Sequence, residues 1–299
     1  VTTAVIGNDG GGRVGAARWL AELDSAGIGV NIATLVGHNH VRRTVMGMAD
    51  RAPTPEELEQ MKALVARGMV EGALGLSAGL FYSPGSFART EEVIALAKVA
   101  AAYGGLYDVH LRDESSYTIG LTAAVEETIR IAEAAGIHAN ISHIKALGAD
   151  VWGKSREVVR LIEAARARGI SVTADQYPYE ASSTGLHAAL LPRWVFSDDP
   201  DYRDKLNDAR LLPKIKAGMA ENLRRRGGPS AILLSAPEKL VELRGQTLEE
   251  VARQWSVDPL EAALRVLRNG SSSIVSFNMT ETDIHHFMQQ PWVMTSSDA

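Results

Sequence analysis

Five residues stand where side chains could do chemistry. Asp9, His110, His143, Asp175 and Asp298 each fall at or near the end of a short apolar run. Imidazole nitrogen and carboxylate oxygen are the ligands that zinc and similar ions take. A single histidine ending such a run is more often a hydrogen-bonded residue than a ligand. Two histidines ending successive runs, followed by an aspartate ending the last one, point to a metal site assembled from separate segments.

A rival signal is His38-Asn39-His40, because alternate residues of a strand face the same way. That pair follows Gly37, where the chain is turning, so a loop role is expected there rather than ligation. His285 and His286 are adjacent on a helical pattern, about 100° apart, which a surface helix explains. Around the expected centre are groups suited to an anionic, amide-bearing ligand. Arg112 follows His110 by two residues and Lys145 follows His143 by two, while Tyr82 and Tyr177 end neighbouring units. A guanidinium can grip a carboxylate bidentately, and phenols can hold a carbonyl or an oxyanion. Arg112 could equally pair internally with Asp113 or Glu114, and the two tyrosines could be packing residues.

Positioning such groups requires a scaffold. Short apolar runs, rich in β-branched residues, occur at 2–7, 30–36, 72–76, 105–110, 139–143, 171–175, 273–277 and 292–296, as buried parallel strands do. Helical patterns lie between several of them. One runs from Pro55 to Arg67, one opens at Thr90 as a candidate N-cap, and two close on Gly136 and Gly169. Strand and helix alternating in steps of about 30 residues predict repeated βαβ units, here a (β/α) barrel of the TIM type. The rhythm breaks at 184–235, which reads as an insertion capping one end of a single barrel spanning 1–299. Arg224-Arg225-Arg226, the one dense basic cluster, reads as a solvated helix end beside Gly227-Gly228.

Composition narrows the function. The 299 residues are 45% hydrophobic and 22% charged, with 31 Lys+Arg against 36 Asp+Glu and a net charge of −5. No basic excess exists to neutralise nucleic-acid phosphates. With no cysteine, disulfides, thiol catalysis and thiolate metal sites are excluded. No apolar run approaches a membrane span and no signal-peptide features are present, so a cytoplasmic protein with a small-molecule partner is expected.

Five ordered motifs then become recognisable: residues 1–8, 75–82, His110-Leu111-Arg112-Asp113-Glu114, Ser142-His143-Ile144-Lys145 and Ser296-Ser297-Asp298-Ala299. Together they resemble the N-acyl-D-amino-acid deacylase (D-aminoacylase) family of the amidohydrolase superfamily. The resemblance implies a (β/α)8 barrel with one or two zinc ions at its mouth. It implies His110 and His143 as zinc ligands, and Asp298 as the residue that shuttles a proton from water and can touch a second metal. Tyr82, Lys145, Tyr177 and Ser183 resemble positions that hold the substrate's carbonyl and carboxylate, whereas Arg112 matches the motif without an evident role. Where best-known members carry a cysteine ligand, this chain has Asp9, an oxygen donor that favours harder metals. The resemblance also implies a first strand before Val1, a small β-sandwich, and residues beyond Ala299. The expected reaction is metal-dependent hydrolysis of an N-acyl-D-amino acid. The alternatives are a cyclic amidase of the dihydroorotase or hydantoinase kind and a catalytically silent ligand-binding barrel.

Overall fold

The computed structural model describes residues 2–198 and 201–298. Val1 and Ala299, which end two of the motif stretches, lie outside the described residues, as do positions 199–200 of the charged stretch after 198.

Parallel strands come first: β1 (Thr3–Ile6), β2 (Asn31–Thr34), β3 (Val36–Gly37), β4 (Gly75–Gly79), β5 (Leu106–His110), β6 (His138–Ile141) and β7 (Val172–Gln176). The chain then builds an antiparallel sheet from β8 (Ala181–Gly185), β9 (Ile232–Pro237) and β10 (Ser272–Phe277), ordered β8-β10-β9. It returns for β11 (Val293–Thr295), which pairs with β7. β2 and β3 are one strand interrupted at Leu35, whose N–H bonds Ile6 O across β1, while Leu74 N bonds Thr34 O towards β4. The parallel order is therefore β1, β2/β3, β4, β5, β6, β7, β11.

This array is rolled. In a flat sheet the ends of β1 and β6, four strand spacings apart, would be separated by about 19 Å. Instead the Asp9 carboxylate beyond β1 lies 3.3 Å from the His143 ring beyond β6. Asn8 likewise donates to Asp108 on β5 at 3.1 Å. The strand ends converge on one mouth, the arrangement that brings distant sequence segments together in α/β barrels.

Helices cover the outside of the array for readable reasons. The helix Pro55–Val70 starts on a reciprocal cap: Thr54 Oγ1 accepts from Glu57 N, and the Glu57 carboxylate accepts from Thr54 N. The helix Leu121–Ala135 ends on Gly136 in the left-handed conformation. Thr90 is the first residue of its helix rather than its cap, and its hydroxyl donates to Glu127 instead. Two main apolar cores result. One, including Val36, Leu76, Val109, Ile141 and Val172, lies in the barrel; the other, including Leu190, Ile215, Leu234, Leu264 and Ile274, lies under the antiparallel sheet.

The run at 273–277, expected as a barrel strand, is β10, the centre of the antiparallel sheet. Its alternating burial, with Ile274 and Ser276 covered and Phe277 exposed, is that of a sheet covered on one face. The antiparallel module thus extends from Ala181 to Phe277, where the sequence rhythm alone marked 184–235. It is tied down at the barrel mouth, where Arg193 Nη2 donates to Arg112 O at 2.7 Å. No helix among the described residues is long and apolar enough to cross a membrane.

Candidate metal centre

Three donor atoms meet at the mouth. His110 Nδ1 lies 3.0 Å from His143 Nε2, and Asp9 Oδ2 lies 3.3 Å from His143 Nε2 and 3.6 Å from His110 Nδ1. Ligands of a tetrahedral zinc, with bonds of 2.0–2.1 Å, stand about 3.3 Å apart. The spacing and the donor chemistry of this trio therefore fit a zinc ion. Asp9 and His143 both have positive φ, 54° and 39°, as does Asp298 at 55°. A non-glycine residue is uncommon there, and such conformations concentrate at functional sites. The Asp9 turn is accommodated by Gly79 at the end of β4, where a Cβ would come 2.1 Å from Asp9 O.

Behind the trio lies a carboxylate that the spacing of ligand types did not reveal. Glu114 Oε1 faces His143 Nδ1 at 3.3 Å and Glu114 Oε2 faces His110 Nε2 at 3.6 Å, so one buried acid stands behind both imidazoles. Lys145 Nζ donates to Glu114 at 2.6 Å and lies 2.7 Å from His143 Nδ1. Carboxylates in this position orient metal-binding imidazoles and fix which nitrogen carries the proton. Burial works to raise the Asp9 pKa, but His110 and His143 outweigh it and hold this carboxyl well below the usual range. Burial likewise opposes ionisation of Glu114, and His110, Lys145 and His143 overcome it. For His143, burial and the Lys145 ammonium act downward, yet Asp9 and Glu114 win and raise the ring to about 10.

Below the ligands, Asp108 accepts from Asn8, Asn140 and Ser142, and burial pushes its carboxyl up to about 6. Asp175 accepts from His143 N at 3.0 Å and from Asn140, so it braces the histidine's backbone and makes no fourth member of the trio.

The remaining sequence candidates divide. Tyr82, Lys145, Tyr177, Ser183 and Asp298 line one opening with the trio. Asp298 is exposed on its rim and stands outside the group of mutually close donors. Tyr82 packs against His110 with its ring tilted by 54° and the centroids 4.7 Å apart, and its hydroxyl lies 3.3 Å from Thr184 Oγ1. Burial, foremost, keeps the phenols of Tyr82 and Tyr177 protonated. Arg112 is the correction: its guanidinium forks onto Glu127 at 2.8 and 2.9 Å, away from the opening. Its partner is neither Asp113, which instead accepts the N–H groups of Ser115, Thr118 and Gly120, nor Glu114. The chain leaves β5 at His110, so the two-residue alternation ends before Arg112 and delivers Glu114 to the site.

His38 is fully buried, with Nε2 2.9 Å from Glu92, and His40 is exposed; both belong to the helix His38–Met46 rather than to a loop. Asn39, between them, exchanges hydrogen bonds with Gly79 and secures the end of β4. Arg226, expected in solvent, is 2% exposed and lines the opening.

No protein-family model matches the chain. It is 43% identical over 170 residues to a D-aminoacylase of Alcaligenes xylosoxydans xylosoxydans, covering 57% of this chain and 34% of that protein. It is 32% identical over 269 residues to an N-acyl-D-glutamate deacylase of the same organism, covering 90% of this chain and 47% of the relative. The chain thus spans about half the length, or less, of these curated relatives. Among solved structures, an N-acyl-D-glutamate deacylase from Bordetella bronchiseptica, complexed with zinc and a phosphonate mimic of the tetrahedral intermediate, superposes with a TM-score of 0.81 at 28% identity. That match covers 100% of this chain and 59% of the other. A D-aminoacylase crystal structure described as defining a novel subset of amidohydrolases gives 0.78, also at 28% identity, with the same coverage of both chains.

Proposed function

Because the chain belongs to the N-acyl-D-amino-acid deacylase family of amidohydrolases, we propose that it is a cytoplasmic zinc-dependent hydrolase. It cleaves the amide of a small N-acyl-D-amino acid, giving a D-amino acid and a carboxylate. The observation that carries this reading is the convergence of Asp9, His110 and His143 at zinc-ligand spacing, in an opening that also holds buried phenols and cations.

In this reading Asp9, His110 and His143 would hold the ion, with Glu114 orienting both rings from behind. A zinc ion there would supply Lewis acidity and lower the pKa of water towards neutrality. Asp298 takes the proton of the attacking water on a carboxylate oxygen and returns it to the leaving nitrogen, serving as base and then as acid. Tyr82 or Tyr177 donates its phenolic hydrogen to the oxygen that gains charge. Lys145 and Ser183 reach the remaining substrate oxygens.

Turnover of N-acetyl-D-amino acids, their L counterparts and dihydropyrimidines tests the assignment. Hydrolysis of the D compounds is expected, and Asp298→Asn should lower kcat by about 10²–10⁴-fold with unchanged metal content. Near-full turnover by that variant overturns the role of Asp298, and activity confined to the cyclic amides overturns the substrate class.

A further inference from the structure

The layer of the barrel just beneath the metal trio is polar. Ser77 of β4, Asp108 of β5, Asn140 of β6 and Thr173 of β7 stand in register across neighbouring strands. Interior layers of (β/α) barrels are dominated by Val, Ile and Leu, so an unbroken polar row asks for a use. Asp108 is its hub and is 3% exposed. Its Oδ2 accepts from Asn8 Nδ2 at 3.1 Å, and its Oδ1 accepts from Ser142 Oγ at 2.8 Å and from Asn140 Nδ2 at 2.9 Å. Asn8 and Ser142 directly precede Asp9 and His143 in the chain. His110 follows Asp108 by two residues on the same strand, hence on the same face. One buried carboxylate thus belongs to, or is bonded to, each of the three segments that carry the trio.

The rest of the row grips the same segments. Ser77 Oγ accepts from Gly10 N at 3.2 Å and donates to Gly7 O, closing from both sides the turn that presents Asp9. Asn140 also donates to Asp175 at 2.8 Å, the carboxylate that accepts from His143 N, and it accepts from Thr173 at 3.0 Å. These holds fall where the backbone needs them. Asp9 and His143 lie past the ends of their strands at positive φ, a conformation that a non-glycine residue keeps only when its surroundings impose it.

We propose that Asp108 is the positioning residue of the metal centre. Its two oxygens hold the Asp9 turn and the His143 turn against β5, so that the three ligands stand at zinc spacing. The inference rests on the zinc reading above and adds to it the group that sets how tightly the ion is held. Asp108 lies below the ligands and acts through Asn8 and Ser142.

The test measures zinc affinity by chelator competition on the wild type, Asp108→Asn, Asn8→Ala and Ser142→Ala, with urea unfolding of each metal-free protein. Asp108→Asn turns one of two acceptors into a donor that must face another donor. An affinity loss of about 10–100-fold is expected in Asp108→Asn, with smaller losses in Asn8→Ala and Ser142→Ala. Because Asn8 acts through Asp108, combining Asn8→Ala with Asp108→Asn should cost little more than Asp108→Asn alone; fully additive losses overturn that link. Val172→Ala controls for lost stability, since Val172 is buried in the apolar core on the other face of β7. It should lower the unfolding midpoint and leave zinc affinity unchanged. Cobalt(II)-loaded protein gives a second readout, because its visible bands report ligand geometry; they should shift in Asp108→Asn and not in Val172→Ala. Unchanged affinity and bands in folded Asp108→Asn, or an equal loss in Val172→Ala, overturn the proposal. If Asp108→Asn does not fold, Asn8→Ala carries the test on the same terms. Metal binding is read without turnover, so a wild type that binds zinc yet hydrolyses no N-acyl-D-amino acid overturns the substrate assignment alone. A wild type that binds no zinc overturns the zinc reading and this proposal together.

Discussion

At the scale of single residues, the centre depends on a few side chains that neutralise one another. Glu114 faces both imidazoles and the Lys145 ammonium, so removing its charge disturbs three partners together. Glu114→Gln should weaken zinc binding by about 10–100-fold in chelator competition, whereas a residue of merely local importance would leave it unchanged. The proton on His143 gives a second expectation. With the ring raised to about 10 by Asp9 and Glu114, the metal-free protein carries this proton at neutral pH, and an incoming ion must displace it. Affinity for zinc should therefore rise as pH increases from 7 to 9, with a proton released on binding; a flat profile would contradict the assigned geometry. His110 and His143 were legible because each stands at or just past the end of an apolar run. Glu114 and Arg226 were not. The first acts after the strand has ended, where alternation no longer says which way a side chain points. The second is an arginine in a basic run, whose burial depends on a distant glycine.

At the scale of elements, helix positions were readable, whereas the N-cap expected at Thr90 and the sheet membership of one run were not. The helix at Pro55 starts on Thr54, Glu57 and a proline in the first turn, all local. Thr54→Ala should cost about 1 kcal/mol in urea unfolding. Glu57 is held at about 2, first by the Arg51 fork and then by the Thr54 N–H. Because its folded value is depressed, its contribution is present above the unfolded value of about 4.3 and is lost as pH falls through about 2. The gap in thermal midpoint between the wild type and Glu57→Gln should therefore be constant above pH 6 and shrink progressively below pH 4. Residues 273–277 misled because a short apolar run does not declare its neighbours. Antiparallel pairing with β8 and β9 was decided by segments about 40 and 90 residues upstream.

At the scale of the whole molecule, the antiparallel module is tied to the mouth of the rolled parallel sheet through Arg193, which donates to Arg112 O, and that contact borders the site. β/α alternation made the barrel legible, and the loss of that rhythm marked where another body begins, but not how it docks. Gly148 is the test of that docking. Gly148→Ala, in the loop after β6, places a side chain against Arg225 O at positive φ, and should destabilise the protein by at least about 1–2 kcal/mol in urea unfolding. An unchanged unfolding midpoint would show that the close approach of loop and helix end contributes nothing to docking.

The central claim is that strands distant in sequence bring Asp9, His110 and His143 around one zinc ion. X-ray absorption at the zinc edge, with metal content measured on the wild type and on His110→Ala and His143→Ala, tests it most directly. The account expects at least one equivalent of zinc, bound through imidazole nitrogen and carboxylate oxygen at about 2.0–2.2 Å, and strongly depleted in both variants. Zinc that remains fully bound without either histidine, or a wild type that holds none, would contradict it.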